Sequence, residues 1–68
     1  MKVFAVANEI PERCDYLTAN KEYEVRGEDR AQPADFFFTD DKGEERHCFW
    51  NSSWHLGGDN WQRVEREE

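Results

Sequence analysis

Residues 36–50 read FFFTDDKGEERHCFW, and this stretch decides the fold. Its first four residues, 36–39, favour extended backbone, and residues 44–50 return to a strand-forming composition. Between them, residues 41–43 fit a three-residue loop whose last position is left-handed, a conformation that Gly43 adopts without steric cost. The stretch therefore predicts a β-hairpin.

Outside the hairpin, hydrophobic alternation predicts further strands. The clearest signal places Tyr23 and Val25 between charged neighbours at a period of two, which is typical of a strand with one wet face. The segment Trp54–Leu56 predicts one helical turn, ended by a left-handed Gly57. The predicted strands are residues 2–7, 22–26, 36–39, 44–50 and 60–65, and a mobile loop is predicted over residues 27–33.

This order of elements predicts an all-β domain. No segment of ten or more residues has a helical period, which excludes crossover helices and a parallel sheet. Five short antiparallel strands in 68 residues share one core only as a small barrel or a bent sheet. We expect one domain over residues 1–65, followed by a frayed acidic tail over residues 66–68.

Three segments carry a resemblance to a known family. LTANKEYEV (17–25), FTDDKGEE (38–45) and WQRVE (61–65) resemble small bacterial and phage-encoded proteins with an SH3-like barrel. The resemblance implies a five-stranded SH3-like barrel with one short helical turn before the last strand. It implies a fold and not an activity. Where the family turn usually has glycine, this chain has Asn20, which also tolerates a left-handed backbone.

The charge of the chain is negative and unevenly placed. The formal net charge is −7, and residues 27–45 contain seven acidic and two basic side chains. Binding to nucleic-acid phosphates needs the opposite sign, so no direct nucleic-acid binding is expected. An acidic surface suits solvation, a basic partner, or occupation of a DNA-binding groove.

The sequence also predicts a cytoplasmic protein. The N-terminal residues have no signal-peptide pattern, and no apolar run approaches the roughly 18 residues that span a bilayer, so no membrane association is expected. Cys14 and Cys48 are far apart, and both thiols are expected to be free in a reducing compartment.

The chain has few candidates for metal binding or catalysis. Its soft ligands are Cys14, His47, Cys48 and His55, but His47 and Cys48 are neighbours on a predicted strand and point to opposite faces. A trio of Cys48, His55 and Asp59 resembles a nucleophile with its base, yet so small a barrel encloses little volume for a substrate. We therefore expect no metal, no cofactor and no enzymatic activity.

Aromatic and acidic residues provide the binding hypothesis. Trp61 is assigned to the core, whereas Phe37, Trp50 and Trp54 are open to three interpretations: a core lid, a dimer seam or a groove for a partner. The main hypothesis is a bacterial or phage protein-interaction module, monomeric or weakly dimeric, that binds a protein partner of basic character. The alternative is an acidic nucleic-acid mimic that inhibits a DNA-processing protein. The predicted binding residues are Phe37, Trp50 and Trp54, with an acidic loop formed by Glu28, Asp29 and Asp35.

Overall fold

The computed structural model describes residues 1–31 and 34–67, and this part of the chain is all-β, as predicted. In these residues, no helix is long and apolar enough to span a membrane. The strands are β1 (Lys2–Val6), β2 (Tyr23–Glu24), β3 (Arg26–Asp29), β4 (Asp35–Thr39), β5 (Glu45–Phe49) and β6 (Gln62–Arg66), and a 3-10 turn spans Trp54–Leu56.

The strands form two antiparallel sheets, with the orders β2-β1-β6 and β3-β4-β5. β1 pairs with β6 along its whole length, so Lys2 lies opposite Arg66. β6 thereby includes the first residue of the predicted tail, and Glu68 lies outside the described residues. Only Val25 separates β2 from β3, and its amide donates to the Val3 carbonyl at 2.9 Å. One extended segment thus passes from the first sheet into the second.

The predicted five strands of a small barrel are corrected to six strands in two three-stranded sheets, counted over the described residues. The strand predicted at residues 22–26 is divided at Val25 into β2, which pairs with β1, and β3, which pairs with β4. Gly27 follows with a left-handed φ of 60°, and the register against β4 shifts between Arg26 and Asp29. An irregularity of this kind bends a strand and increases its twist, which allows the segment to serve both sheets.

The loop predicted over residues 27–33 is wrong at its start, because β3 continues to Asp29. Backbone pairing with β4 holds these residues extended although their side chains lack hydrophobic alternation. After the pair formed by Asp29 and Asp35, the Asp29 carboxylate accepts a hydrogen bond from the Ala31 amide at 2.9 Å. Residues 32–33 of the predicted loop lie outside the described residues.

The predicted hairpin is confirmed. β4 and β5 pair in continuous register, and the Asp40 amide donates to the Glu44 carbonyl at 2.8 Å to close the turn. Gly43 has the predicted left-handed backbone, with φ 83°. Left-handed conformations are also confirmed at Asn20 (φ 66°) and Gly57 (φ 67°).

Aromatic rings dominate the core between the two sheets. Phe36 and Phe38 are fully buried, and Trp61 is buried as predicted. The Phe36 ring centroid is 5.8 Å from that of Trp61 and that of Phe38 is 5.5 Å from it. Tyr23 adds an edge contact to Phe38 at 5.2 Å. A few large rings thus fill a core that contains few aliphatic side chains.

Candidate functional site

β4 and β5 direct their side chains alternately into the core and out to solvent. Phe36, Phe38 and Cys48 are buried, whereas Phe37 and Phe49 are 37% and 41% exposed. Neighbours along a strand lie on opposite faces, which explains the alternation. The outer face of the β3-β4-β5 sheet therefore carries two exposed phenylalanine rings.

His47 lies between these two rings. Its ring centroid is 4.9 Å from that of Phe37, its cross-strand partner, and 5.2 Å from that of Phe49. We refer to Phe37, His47 and Phe49 as the aromatic patch. Because His47 contacts both phenylalanine rings on paired strands, the patch is a continuous and preformed surface.

Gly27 of β3 lies against the Phe37 ring. A β-carbon at position 27 would be 3.2 Å from Cδ1 of Phe37, which is shorter than the optimal separation of roughly 3.5 to 4.0 Å between carbon atoms. The left-handed φ of 60° also favours glycine at this position. Gly27 therefore bends β3 and makes room for the ring.

Carboxylates border one end of the aromatic patch. Asp35 is the cross-strand partner of Asp29 on β3 and of Phe49 on β5, so these three residues share the outer face. The Asp35 carboxylate lies 2.8 Å from Nε2 of His47, and both side chains are partly exposed. This end of the patch is negative.

The other end of the aromatic patch contains paired charges. Nη2 of Arg26 is 2.5 Å from the Thr39 hydroxyl and 3.6 Å from the Glu45 carboxylate. Thr39 and Glu45 are themselves cross-strand partners. The Arg26 guanidinium is therefore already paired at this end of the patch. It does not neutralise the carboxylates of Asp29 and Asp35.

Two of the predicted binding residues lie away from the aromatic patch. The Glu28 carboxylate accepts hydrogen bonds from Nε and Nη2 of Arg63 at 2.7 and 3.0 Å, and these bonds lower the pKa of Glu28. Trp50 is only 7% exposed, with its ring centroid 4.1 Å from that of Phe36. Glu28 thus joins the two sheets through an ion pair, and Trp50 belongs to the core.

Trp54 is a further exposed aromatic residue, with 70% of its surface accessible. The Arg13 guanidinium lies 4.7 Å from the centroid of its ring and donates to its carbonyl at 3.0 Å. The next residue, His55, has Nε2 3.1 Å from the His47 carbonyl. Trp54 therefore lies on the β5 side of the aromatic patch, joined to it through His55.

His55 is fixed by hydrogen bonds on both sides of its ring. A carbonyl only accepts hydrogen bonds, so Nε2 donates to the His47 carbonyl, and in the neutral ring Nδ1 then accepts from the Tyr16 hydroxyl at 2.6 Å. Burial raises the pKa of Tyr16 to about 12, which keeps that hydroxyl protonated. The bond from His55 to the His47 carbonyl covers part of the outer edge of β5.

The two cysteines considered for metal or nucleophilic chemistry are both buried. Burial raises the pKa of Cys48 to about 12, so its thiol is protonated at neutral pH. Sγ of Cys14 is 2.9 Å from the His55 carbonyl. In the part of the chain that the structure describes, no three His, Cys, Asp or Glu side chains are grouped to hold a metal ion. The outer face of the β3-β4-β5 sheet is therefore suited to binding through apolar contacts and ionic attraction.

Sequence reasoning identified Phe37, Asp29 and Asp35 but missed Phe49 and His47. The signal for both was present, since Phe49 and His47 flank Cys48 and must take the face opposite to it. The same rule places Trp50 on the inner side with Cys48. Strand alternation, applied from the buried Cys48, thus assigns the Trp50 ring to the core and the Phe49 ring to the surface.

No protein-family model, curated protein or solved structure matches this chain. The resemblance to SH3-like barrel proteins therefore stays a prediction from the three quoted segments.

Proposed function

We propose that this chain is a non-enzymatic protein-interaction module that binds a protein partner through the aromatic patch and the carboxylates beside it. The observation that carries the proposal is a pair of phenylalanine rings, Phe37 and Phe49, held outward on a paired sheet and each more than one third exposed. Exposed apolar surface with a polar rim is typical of interaction sites.

The size of the domain makes this exposure informative. A 68-residue chain has a small core, and burial of apolar surface contributes about 25 cal/mol per Å². The exposed parts of these two rings therefore contribute no hydrophobic free energy to the folding of the free protein. A partner that covers Phe37 and Phe49 recovers it upon binding.

The shape and charge of the surface favour a protein as the partner. Small-molecule sites are usually concave, whereas the aromatic patch lies on the face of a three-stranded sheet. Phosphates would be repelled by Asp29, Asp35 and a net charge of −7. Trp54, which lies beyond His55, provides a further aromatic contact at the margin.

The alternative function, nucleic-acid mimicry, has less support from the geometry. A mimic needs a run of negative charges at phosphate-like spacing. Many carboxylates of this chain are instead paired with cations, which alternates the sign of the charge over the surface. The pairs are Asp15 with Lys42, Glu22 with Arg66, Glu28 with Arg63, Asp40 with Arg46, and Asp41 with Lys21.

The proposal is tested by affinity capture from a bacterial lysate with three baits. The baits are the wild type, a double variant with Phe37→Ser and Phe49→Ser, and a control with Gln62→Ser on the exposed surface of the other sheet. Each captured protein is purified, and its Kd for the three baits is measured by calorimetry. Circular dichroism establishes that all three baits are folded.

We expect a partner that binds the wild type and the control equally. Its affinity for the double variant should fall by about tenfold or more, as is typical when aromatic anchors are removed. The proposal is wrong if every captured protein binds the double variant as tightly as the wild type. It is also wrong if the wild type retains no protein that the double variant fails to retain.

A further inference from the structure

We infer that the partner presents a cationic side chain, best an arginine, to the place where Asp29, Asp35 and Phe49 meet. This inference rests on the proposed function and specifies the chemistry of its partner. It follows from the row of three cross-strand neighbours, in which Asp35 lies between Asp29 on one side and Phe49 on the other.

The pairing of Asp29 with Asp35 is unfavourable in the free protein. Directly opposite residues of an antiparallel pair have their β-carbons about 4.5 to 5.5 Å apart, and like charges in this position repel. Among residues 1–31 and 34–67, these carboxylates accept hydrogen bonds only from the Ala31 amide and from His47. The nearby Arg26 is engaged with Thr39 and Glu45 at the other end of the patch.

Arg30 is next to this pair in sequence but acts on a different carboxylate. Its charge contributes to the lowered pKa of Glu28, after the larger effect of Arg63. Glu28 pairs with Arg63 of β6 in the other sheet, away from the aromatic patch. The described chain thus supplies no guanidinium or ammonium ion pair to Asp29 or Asp35.

Any protein that covers the aromatic patch also removes water from these carboxylates. Phe49 is the direct cross-strand neighbour of Asp35, so burying the ring shields the carboxylate. A buried carboxylate without a counter-charge is strongly unfavourable. A specific partner must therefore bring positive charge to this end of the patch.

An arginine side chain can contact both the Asp35 carboxylate and the Phe49 ring. Its planar guanidinium forms paired hydrogen bonds with a carboxylate and also stacks on an aromatic face. With Asp35 beside the exposed Phe49 ring, one guanidinium contacts both. Lysine supplies the same charge as a point and lacks the stacking plane.

The test is an NMR titration of the ¹⁵N-labelled protein with two blocked peptides. One peptide has an arginine between two leucines, and the other has citrulline, its neutral isostere, in the same position. We expect the arginine peptide to shift the amide signals of β4 and β5, with millimolar affinity. The citrulline peptide should bind about fivefold more weakly, as the loss of one exposed ionic and cation–π contact implies.

Variants assign this preference to the two side chains. Asp35→Asn, which keeps an acceptor for His47, and Phe49→Leu, which keeps an apolar side chain, should each reduce the difference between the peptides. Asp59→Asn is the matched control, because Asp59 lines a separate depression with Glu9 and Leu56. Equal binding of the two peptides, no shift with arginine, or an unchanged preference in Asp35→Asn would overturn the inference.

The captured partner separates this inference from the proposed function. If binding is lost with Phe37→Ser and Phe49→Ser but is unchanged with Asp29→Asn and Asp35→Asn, the module binds through the aromatic patch and the cation inference is wrong. If both double variants weaken binding, the inference is supported. If the phenylalanine variants bind normally, the proposed function itself fails.

Discussion

Asp40 is a buried carboxylate that organises the turn between β4 and β5. It accepts hydrogen bonds from the amides of Lys42 and Glu44, each at 2.9 Å, and from Nε of Arg46 at 2.7 Å. Burial by itself would raise the pKa of Asp40, but the hydrogen bonds from Arg46 and from the two amides outweigh it, and the pKa lies below its ordinary value of 3.8. The charged carboxylate is thus part of the folded turn.

The lowered pKa of Asp40 predicts a loss of stability in acid. Because the unfolded chain binds this proton more readily, the contribution of Asp40 is fully present above the ordinary value of 3.8 and is lost as the pH falls through the lower folded value. Asp40→Asn should reduce the free energy of unfolding at neutral pH by about 1 to 3 kcal/mol. It should also flatten the decline of stability below about pH 5. Urea unfolding at a series of pH values measures both effects.

Asp15→Asn is the control for this prediction, because its ion pair with Lys42 is exposed. Exposed pairs contribute little to stability, although the hydrogen bond from Lys42 lowers the pKa of Asp15 as well. Equal losses of stability in Asp15→Asn and Asp40→Asn would show that the network at Asp40 has no special role.

At the scale of the element, the bend in β3 connects the fold to the aromatic patch. Gly27→Ala and Gly43→Ala both place a β-carbon on a left-handed backbone, which costs about 1 to 2 kcal/mol. At Gly43 nothing lies within 4 Å of that carbon, whereas at Gly27 it meets the Phe37 ring. Gly27→Ala should therefore be the more destabilising change and should alone shift the NMR signals of Phe37. Equal losses of stability and an unmoved Phe37 ring would contradict this role of Gly27.

Elements fixed by neighbouring residues could be predicted from the sequence. The hairpin, the left-handed Gly43 and Gly57 and the turn at Asn20 depend on local backbone preferences. The division of β2 from β3 could not be predicted, because it depends on hydrogen bonds to strands that are distant in the sequence. Val25 bonds to β1, whereas the residues after it pair with β4.

The candidate site was predictable to a similar extent. Strand alternation places Phe37 outside, and the same rule applied from Cys48 would have found Phe49. The row of Asp29, Asp35 and Phe49 was beyond the sequence, because it requires the register of three strands. The sequence does not distinguish Glu28 from Asp29, but in the structure Glu28 pairs with Arg63.

At the scale of the whole molecule, stability depends on a small number of aromatic side chains. Trp61 contacts Phe36, Phe38 and Tyr23 at ring centroid distances of 5.8, 5.5 and 6.3 Å. Its amide also donates to the Trp50 carbonyl at 2.9 Å, which ties the start of β6 to the residue after β5. The core therefore has one centre rather than several independent parts.

This arrangement predicts opposite results for two tryptophans. Trp61→Ala should cost about 3 to 5 kcal/mol, which equals the roughly 3 to 5 kcal/mol expected for a single core of this size, so the variant should be unfolded at 25 °C. Trp54→Ala should cost about 1 kcal/mol or less, since the ring is exposed and loses only surface contacts with Arg13 and His55. Far-ultraviolet circular dichroism and thermal melts measure the difference. Unfolding of Trp54→Ala would place that ring in the core.

The pairing of Lys2 with Arg66 brings the two ends of the folded unit side by side. Since each extended residue spans about 3.3 to 3.6 Å, a linker of a few residues would join them without disturbing β1 or β6. The unit is therefore suited to insertion as a whole into a surface loop of a host protein, where its entry and exit occupy the width of one strand pair. In such a fusion the aromatic patch, which lies on the other sheet, would remain open to its partner.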